Sequence, residues 1–386
     1  MKTQLLTLDG YQAEAVRTDV SKGHDSASFL LLGLFGESGS VLTEVKKRER
    51  DRTRTADYIA RVSEEIGDVL WYMSAVAARN DIKLSEIAYT VRSPSITPPQ
   101  VDSSLRFADL QPARRTIQLE PSLLLEWRLI DFAEAVGQLV LDHRTFLKDR
   151  IRAPLLGSFC RVLSEILSVS NRVGIDLNES ALRQLRKANE RWPAKRRLPA
   201  YRDRNYPEYE QIPRDLEVEI REVRLANGNY FVFQRCNGIN VGDRLTDNIA
   251  DPDDYRFHDV FHYAYAAVLG WSPVTRALYK LKRKSNKKID DSEDGARAIL
   301  IEEGISTIVF NEARKTDFFY GVRRGKLSFD LLKIIRKFVE GYEVANEPYW
   351  VWEEAILQGY EAFRFLTTQR RGRLVMANRK IRMEPL

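Results

Sequence analysis

The sequence predicts a mainly α-helical N-terminal half, followed by an α+β region with a small β-sheet. Apolar residues recur with the 3.6-residue helical period over residues 28–90 and again over about 121–192. Residues 216–223 instead alternate with period two, and Asn227-Gly228 then turns the chain into residues 230–233. This pattern is a strong hairpin signal, and it marks the change from helical to mixed architecture.

Length and composition bound the class of protein. The chain has 386 residues, of which 44% are hydrophobic and 30% charged, so it has room for two or three globular domains. It has no run of about eighteen apolar residues and no apolar N-terminal segment, so we expect neither a transmembrane helix nor a signal peptide. Cys160 and Cys236 give no disulfide framework or zinc-finger spacing. These features favour a cytoplasmic protein with no membrane partner.

Acidic residues interrupt the apolar faces of two consecutive predicted helices, residues 29–47 and 59–73. The stripe on the first helix consists of Leu30, Leu34, Glu37, Val41 and Val45. On the second helix, Glu65 and Asp68 share one face. Because desolvated carboxylates are costly unless a positive charge meets them, their convergence predicts a hard divalent cation, Mg²⁺ or Mn²⁺.

These residues resemble the MazG-like family of all-α nucleoside triphosphate pyrophosphohydrolases. The matching stretches are residues 32–39, 46–47, 64–72 and 82–88. The family pairs Glu-x-x-Glu on one helix with Glu-x-x-Asp on the next. Glu37, Glu65 and Asp68 match this pattern, but Ser40 stands where the fourth carboxylate falls.

The resemblance implies a MazG-like helical bundle that cleaves an NTP or dNTP to the monophosphate and pyrophosphate with Mg²⁺ or Mn²⁺. Glu37, Glu65 and Asp68 would hold the metal, and Glu65 or Glu44 would orient or deprotonate the attacking water. The candidate substrate-binding residues are Lys46, Lys47, Trp71, Tyr72, Lys187 and Arg191. Either aromatic residue would pack on the base or belong to the core, and the last two cations would reach phosphates or be ordinary helix-end charges.

Residues 120–195 are predicted to be a degenerate copy of the helical repeat in residues 1–95. Residues 175–181 echo residues 82–88, but the positions that correspond to Glu65 and Asp68 are Ser158 and Arg161. A tandem duplication of this kind predicts an intrachain pseudo-dimer, in which one half carries the metal and the other completes the pocket. Polar, proline-containing segments at about 93–119 and 193–215 are predicted linkers.

Residues 215–386 are predicted to form an α+β domain, in which no family motif is recognised. The predicted helices cover residues 254–269, 273–284, 291–314, 327–342 and 350–367, and residues 372–376 are predicted to return as a strand. His258 and His262 share one helix face, and Glu302 and Glu303 lie on a later apolar helix. These residues suit a second divalent metal site or an acid–base pair. The alternative is that the histidines hydrogen-bond Glu302 or a backbone carbonyl inside the core.

Two further functions stay open. Without the fourth carboxylate, the N-terminal bundle would be a weakened nucleotide-binding sensor that regulates the C-terminal His/Glu domain. The formal charge of +6 and basic segments at 46–54, 186–204, 276–288 and 369–382 suit a phosphate-bearing ligand or a solvated surface. The other open function is a nucleic-acid-associated interaction protein that uses these basic segments. Nucleic acid is nevertheless not expected as a partner, because no RNA- or DNA-binding signature accompanies the charge. The sequence leaves a homo-oligomer open.

Overall fold

The computed structural model describes residues 5–21, 27–51, 55–93, 103–112 and 122–386. The chain divides into two compact units, Met1–Asn189 and Glu190–Leu386. The described residues are mainly α-helical, and a five-stranded antiparallel sheet lies in the second unit. The predicted fold class is therefore confirmed.

The first unit is a helical bundle. Its helices are α1 (Leu8–Arg17), α2 (Ser28–Asp51), α3 (Thr55–Arg79), α4 (Leu84–Arg92), α5 (Ser122–Asp149), α6 (Arg152–Val173) and α7 (Leu177–Arg191), the last of which ends just beyond the unit boundary. Helix α2 packs along α3, and α5 packs along α6. The apolar members of the predicted α2 stripe are buried, as the helical period requires, and Glu37 on the same stripe is half-buried. The first predicted repeat lies in this unit, the second lies in it as far as Asn189, and the tandem duplication stays a prediction.

The predicted linker at 93–119 is packed where the structure describes it. Residues Phe107–Leu110 form a 3₁₀ turn, and the buried Phe107 ring lies edge-on to Tyr11 at 5.2 Å. The Gln111 side chain accepts a hydrogen bond of 2.9 Å from the backbone N–H of Leu177 at the start of α7. Residues 94–102 and 113–119 of this predicted linker lie outside the described residues.

Two helices of the first unit meet the length and hydropathy of a membrane span. They are Ser28–Arg48 within α2 and Arg152–Val173, which is α6. Both bury apolar residues in the core of this unit, and core helices commonly pass the same test. The expected absence of a membrane partner stays a prediction.

The sheet of the second unit has the strand order β3-β2-β1-β4-β5. Its strands are β1 (Leu216–Arg224), β2 (Tyr230–Cys236), β3 (Ile239–Asn240), β4 (Arg371–Ala377) and β5 (Lys380–Glu384), all paired antiparallel. The predicted hairpin is confirmed, and Gly228 adopts the left-handed conformation (φ 86°) that this turn needs. The predicted return strand is also confirmed, as β4.

The helices of the second unit differ from the prediction at their ends. They are α8 (Asp259–Leu269), α9 (Pro273–Leu278), α10 (Lys287–Ser292), α11 (Ala296–Arg314), α12 (Phe329–Phe338) and α13 (Tyr349–Gln369). Residues Tyr255–Phe257 form a 3₁₀ turn, so the helix predicted from 254 begins at Asp259. The helix predicted over 273–284 ends at Leu278, and Lys280 has left-handed backbone (φ 61°).

The segment predicted as an interdomain linker, residues 193–215, packs within the second unit. Asp203 is fully buried and accepts hydrogen bonds from Arg276 at 2.9 Å and from the backbone N–H of Ile212 at 2.8 Å. Its carboxylate also pairs with Arg214. The linker prediction is wrong here, because charges from distant parts of the chain meet on this segment.

Candidate functional site

Three carboxylates predicted from the sequence come together in the first unit. Glu37 on α2, and Glu65 and Asp68 on α3, each place one oxygen within 4.8 Å of the others. All three residues are half-buried. An all-oxygen donor set of this kind fits the preference of Mg²⁺ and Mn²⁺.

The electrostatics of this carboxylate cluster call for a cation. Burial, and then the negative charges of Asp68, Glu37 and Glu64, raise the pKa of Glu65 to about 7. The positive charge of Lys187 opposes this shift but does not cancel it. Repulsion from the neighbouring carboxylates therefore outweighs Lys187 at Glu65, and a bound cation would relieve this repulsion.

Lys187 on α7 is the cation that the structure places at the cluster. Its Nζ donates hydrogen bonds to Asp68 and, at 3.3 Å, to Glu64. Burial lowers the pKa of Lys187, but the charges of Asp68 and Glu64 outweigh it and the pKa is raised. The sequence predicted that Lys187 contacts a phosphate or is an ordinary helix-end charge. In the structure it forms an ion pair with Asp68, a candidate metal ligand.

Close packing of α7 on α3 positions this lysine. A Cβ atom added at Gly67 would lie 2.9 Å from the carbonyl oxygen of Ser180, so glycine allows the two backbones to approach. The hydroxyl groups of Ser63 and Ser180 meet at 2.7 Å across the same contact.

The two candidate aromatic residues have different places. The Tyr72 ring lies against Gly33 of α2, where an added Cβ atom would be 2.1 Å from a ring carbon. Burial, and then the charges of Glu37 and Asp68, raise the pKa of Tyr72, so its hydroxyl belongs to the surroundings of the cluster. Trp71 is buried and donates a hydrogen bond of 2.9 Å to Thr18, as a core residue does.

The other candidates on α2 lie apart from the three carboxylates. Buried Glu44 pairs with Lys47 at 2.6 Å and with Arg61 at 2.9 Å, and the described cluster does not include it. Lys46 is exposed. Ser40, at the position of the fourth family carboxylate, directs its hydroxyl at the carbonyl oxygen of Gly36 at 3.4 Å.

The corresponding positions of the predicted second copy carry no such cluster. Arg161 forms an ion pair of 3.0 Å with Glu134, and Ser158 donates a hydrogen bond to Asp142. An arginine that pairs with a glutamate therefore stands where the first repeat has Asp68.

Arg191, the last candidate for substrate binding, belongs to the second unit. Its guanidinium donates to the carbonyl oxygen of Leu327 at 2.9 Å and lies over the rings of Trp192 and Phe329. These contacts anchor the start of the second unit.

The residues of the second candidate site also come together, but its two glutamates have different roles. His258, His262 and Glu303 each place one ligand atom within 4.8 Å of the others. Glu302 is fully buried and accepts a hydrogen bond of 2.8 Å from His262 Nδ1. The structural alternative thus holds for the His262–Glu302 contact, while Glu303 completes the possible ligand set.

Two of the basic residues predicted to suit a phosphate-bearing ligand instead form buried ion pairs within the protein. Arg276 is buried against Asp203, and Arg283 is buried against Asp294 at 2.7 Å and Glu343 at 2.9 Å. The prediction is wrong for these two arginines, because their charges are neutralised inside the second unit. Lys280, Lys284, Lys287 and Lys288 are exposed.

The fold and the site define a mainly helical protein with a C-terminal α+β domain and a carboxylate cluster that suits a divalent metal. Residues 197–386 match the family model of the MazG C-terminal domain. The chain is also 32% identical over 88 residues to the Gene 37 protein of Mycobacterium phage L5, across 21% of this chain and 77% of that protein. No solved structure matches the chain.

Residues 197–386 therefore belong to the MazG C-terminal domain family. This match corrects the sequence interpretation, in which only the N-terminal region resembled a MazG-like family and residues 215–386 resembled none. Membership indicates a nucleotide substrate and a function of the nucleotide pyrophosphohydrolase type.

Proposed function

We propose that the first unit hydrolyses a nucleoside triphosphate, NTP or dNTP, to the monophosphate and pyrophosphate with Mg²⁺ or Mn²⁺. The observation that carries the proposal is the convergence of Glu37, Glu65 and Asp68 within 4.8 Å. The MazG match of the second unit supports a nucleotide as the substrate.

The three carboxylates fit the metal by their donor atoms, and their mutual repulsion helps to raise the pKa of Glu65. The ion, when bound, would offset charge on the triphosphate and on the departing pyrophosphate. The Glu65 carboxylate lies among the negative charges of Asp68, Glu37 and Glu64, which favour a proton on it, and we assign it the deprotonation of the attacking water. The water oxygen forms a bond to the α-phosphorus as the bond from that phosphorus to the α–β bridging oxygen breaks. Pyrophosphate departs with the bridging oxygen, and the water proton passes to Glu65.

Lys187 and Tyr72 complete the proposed site from two other directions. Lys187 supplies a half-buried positive charge beside Asp68, where it limits repulsion between the carboxylates and the phosphate chain. Tyr72 presents a phenol beside Glu37 and Asp68, fixed in place by its contact with Gly33. Glu44 has no assigned part, because its charge is taken up by Lys47 and Arg61.

The test is pyrophosphate release from a panel of NTPs and dNTPs with Mg²⁺. We expect Glu65→Gln to lower the rate by on the order of 10²-fold or more, since a general base contributes about that much. Glu134→Gln is the matched control, because it is an exposed glutamate of the same unit paired with Arg161. Equal rates for Glu65→Gln and the wild type would overturn the proposal.

A nucleotide-binding unit that does not cleave is the second candidate. Two observations favour it: Ser40 replaces one family carboxylate, and Lys187 already pairs with Asp68. Under this hypothesis a non-hydrolysable triphosphate binds, the wild type releases no pyrophosphate, and Ser40→Glu creates the activity by restoring the fourth acid. Pyrophosphate release by the wild type would exclude it.

A further inference from the structure

Two histidines and a glutamate face one another in the second unit, and the pyrophosphohydrolase proposal uses none of them. His258 follows the 3₁₀ turn Tyr255–Phe257, His262 lies in the first turns of α8, and Glu303 lies on α11. The two imidazole rings are 5.6 Å apart between centroids. His258 Nε2 lies 3.9 Å, and His262 Nε2 3.5 Å, from an oxygen of Glu303.

The ring orientation of His258 is fixed by the backbone. Its Nδ1 lies 2.8 Å from the carbonyl oxygen of Tyr255, and a carbonyl oxygen can only accept, so Nδ1 carries the proton. The ring also stacks on that of Tyr255, with 4.3 Å between centroids and 5° between planes. The lone pair of Nε2 is thereby directed away from the turn. With its proton on Nδ1, the ring is in the tautomer that a metal ligand needs.

His262 is oriented by a buried carboxylate. Its Nδ1 lies 2.8 Å from Glu302 Oε1. Glu302 itself accepts hydrogen bonds from the hydroxyl of Ser272 at 2.7 Å and from the backbone N–H of Val274 at 2.8 Å. A carboxylate that is held in place and accepts from the far nitrogen of an imidazole is the usual support of a metal-ligating histidine.

His262 Nε2 then has no hydrogen-bond partner among the described residues, although the residue is fully buried. Glu303 Oε1 lies 3.5 Å from it, outside hydrogen-bonding geometry. A buried polar atom without a partner is costly, and native structures normally satisfy it. Nε2 therefore points to a ligand that the second unit binds.

We infer that His258, His262 and Glu303 bind one divalent transition-metal ion in the second unit, with Glu302 as the residue that positions His262. Two imidazoles and one carboxylate are the donor set of catalytic zinc and non-haem iron sites. This set differs from the all-oxygen cluster of the first unit, so the two units select different metals. Three protein ligands leave coordination positions for water or a substrate oxygen.

Asp259 gives this site an acid–base group. Its Oδ1 lies 3.3 Å from His258 Nε2, and its other oxygen accepts a hydrogen bond from Gln234. Gln234 in turn accepts a hydrogen bond of 2.8 Å from the hydroxyl of Tyr263. The hydroxyl groups of Tyr263 and Tyr279 are 3.1 Å apart. Tyr279 is part of the wall of a cavity of about 770 Å³, so a hydrogen-bonded chain connects Asp259 with that cavity.

A proton on His262 Nε2 is the competing occupant. Burial lowers the pKa of His262, but the charges of Glu302 and Glu303 outweigh it and the pKa is raised well above its usual value. A metal ion would displace this proton, since a ligating imidazole must be neutral.

The test measures Zn²⁺ binding to the full chain in excess Mg²⁺, which occupies carboxylate sites, by competition with a chromophoric chelator. We expect one tightly bound Zn²⁺ per chain. Glu303→Gln should weaken it by more than about 100-fold, and Glu302→Gln by about 10–100-fold, the usual loss for an outer-sphere partner. Co²⁺ in the same site should show the absorption of an imidazole-ligated ion in the wild type and lose it in His258→Ala.

Glu312→Gln is the matched control, because Glu312 is an exposed glutamate of α11 that pairs with Lys315. Glu303 is partly exposed, so its variant should fold, and circular dichroism verifies this. Wild-type protein that binds Zn²⁺ no more tightly than Glu303→Gln does, or a Glu312→Gln variant that loses as much affinity as Glu303→Gln, would overturn the inference in favour of a proton on His262. Retained pyrophosphate release in Glu303→Gln would separate this result from the proposed function of the first unit.

Discussion

At the scale of single residues, the chemistry depends on which charges share a desolvated space. Glu65 lies among Asp68, Glu37 and Glu64, so its proton is held more tightly than in a solvated glutamate. Glu44 is more deeply buried, yet Lys47 and Arg61 neutralise it. Burial alone therefore does not identify the functional acid, and the balance of neighbouring charge does.

The raised pKa of Glu65 predicts a pH dependence of stability. In the folded state the pKa is about 7, against an ordinary value of 4.5, so the folded state binds the proton more tightly. The resulting stabilisation is complete below pH 4.5 and is lost as the pH rises to about 7. Without divalent metal, the melting temperature of the wild type should fall across this window more steeply than that of Glu65→Gln. Parallel melting curves in the two proteins would contradict the assignment.

The sequence predicted that the three carboxylates come together, but not that Glu302 and Glu303 have different roles. Helical spacing placed Glu37 on an apolar stripe and put Glu65 and Asp68 on one face, and the structure brings these residues together. Glu302 and Glu303 are adjacent, so helical periodicity turns them in different directions without saying which one meets His262 Nδ1. That depends on Ser272 and Val274, about thirty residues earlier, which hold the Glu302 carboxylate.

At the scale of helices and strands, the first site depends on how closely α7 approaches α3. Gly67→Ala would place a methyl group 2.9 Å from the Ser180 carbonyl, so the helices must separate. We expect a loss of about 1–3 kcal/mol in unfolding free energy, the usual cost of overpacking. Pyrophosphate release should fall as well, because Lys187 moves away from Asp68.

The matched control for this contact is Gly36→Ala on α2, where an added Cβ meets nothing within 4 Å. Its stability should rise by about 0.5–1 kcal/mol, as expected for alanine in place of glycine inside a helix. Chemical denaturation of both variants measures the difference. Equal effects of the two substitutions would show that the contact between α3 and α7 is not tight.

Local signals predicted the elements better than their ends. The alternation of β1 and the Asn227-Gly228 turn predicted the hairpin because both signals are local. The helix predicted over 273–284 stopped early because Arg276 and Arg283 are drawn into buried ion pairs with Asp203 and Asp294. Such pairs join residues far apart in the chain, and periodicity carries no information about them.

At the scale of the whole molecule, two compact units each carry a cluster that suits a different metal. The first unit offers only carboxylate oxygens, and the second offers two imidazoles with one carboxylate. The family match covers the second unit, while the proposed pyrophosphohydrolase site lies in the first. The sequence predicted both clusters from residue types and spacing, but it did not recognise the family of the second unit, since its apolar periodicity is shared by many folds.

The most direct test of the central claim is Mn²⁺ binding to the first unit, measured by electron paramagnetic resonance on the full chain. If Glu37, Glu65 and Asp68 hold one ion, then Glu37→Gln and Asp68→Asn should each weaken the same Mn²⁺ site, and Glu134→Gln should leave it unchanged. Mn²⁺ binding that is equally strong in the wild type, Glu37→Gln and Asp68→Asn would contradict the account.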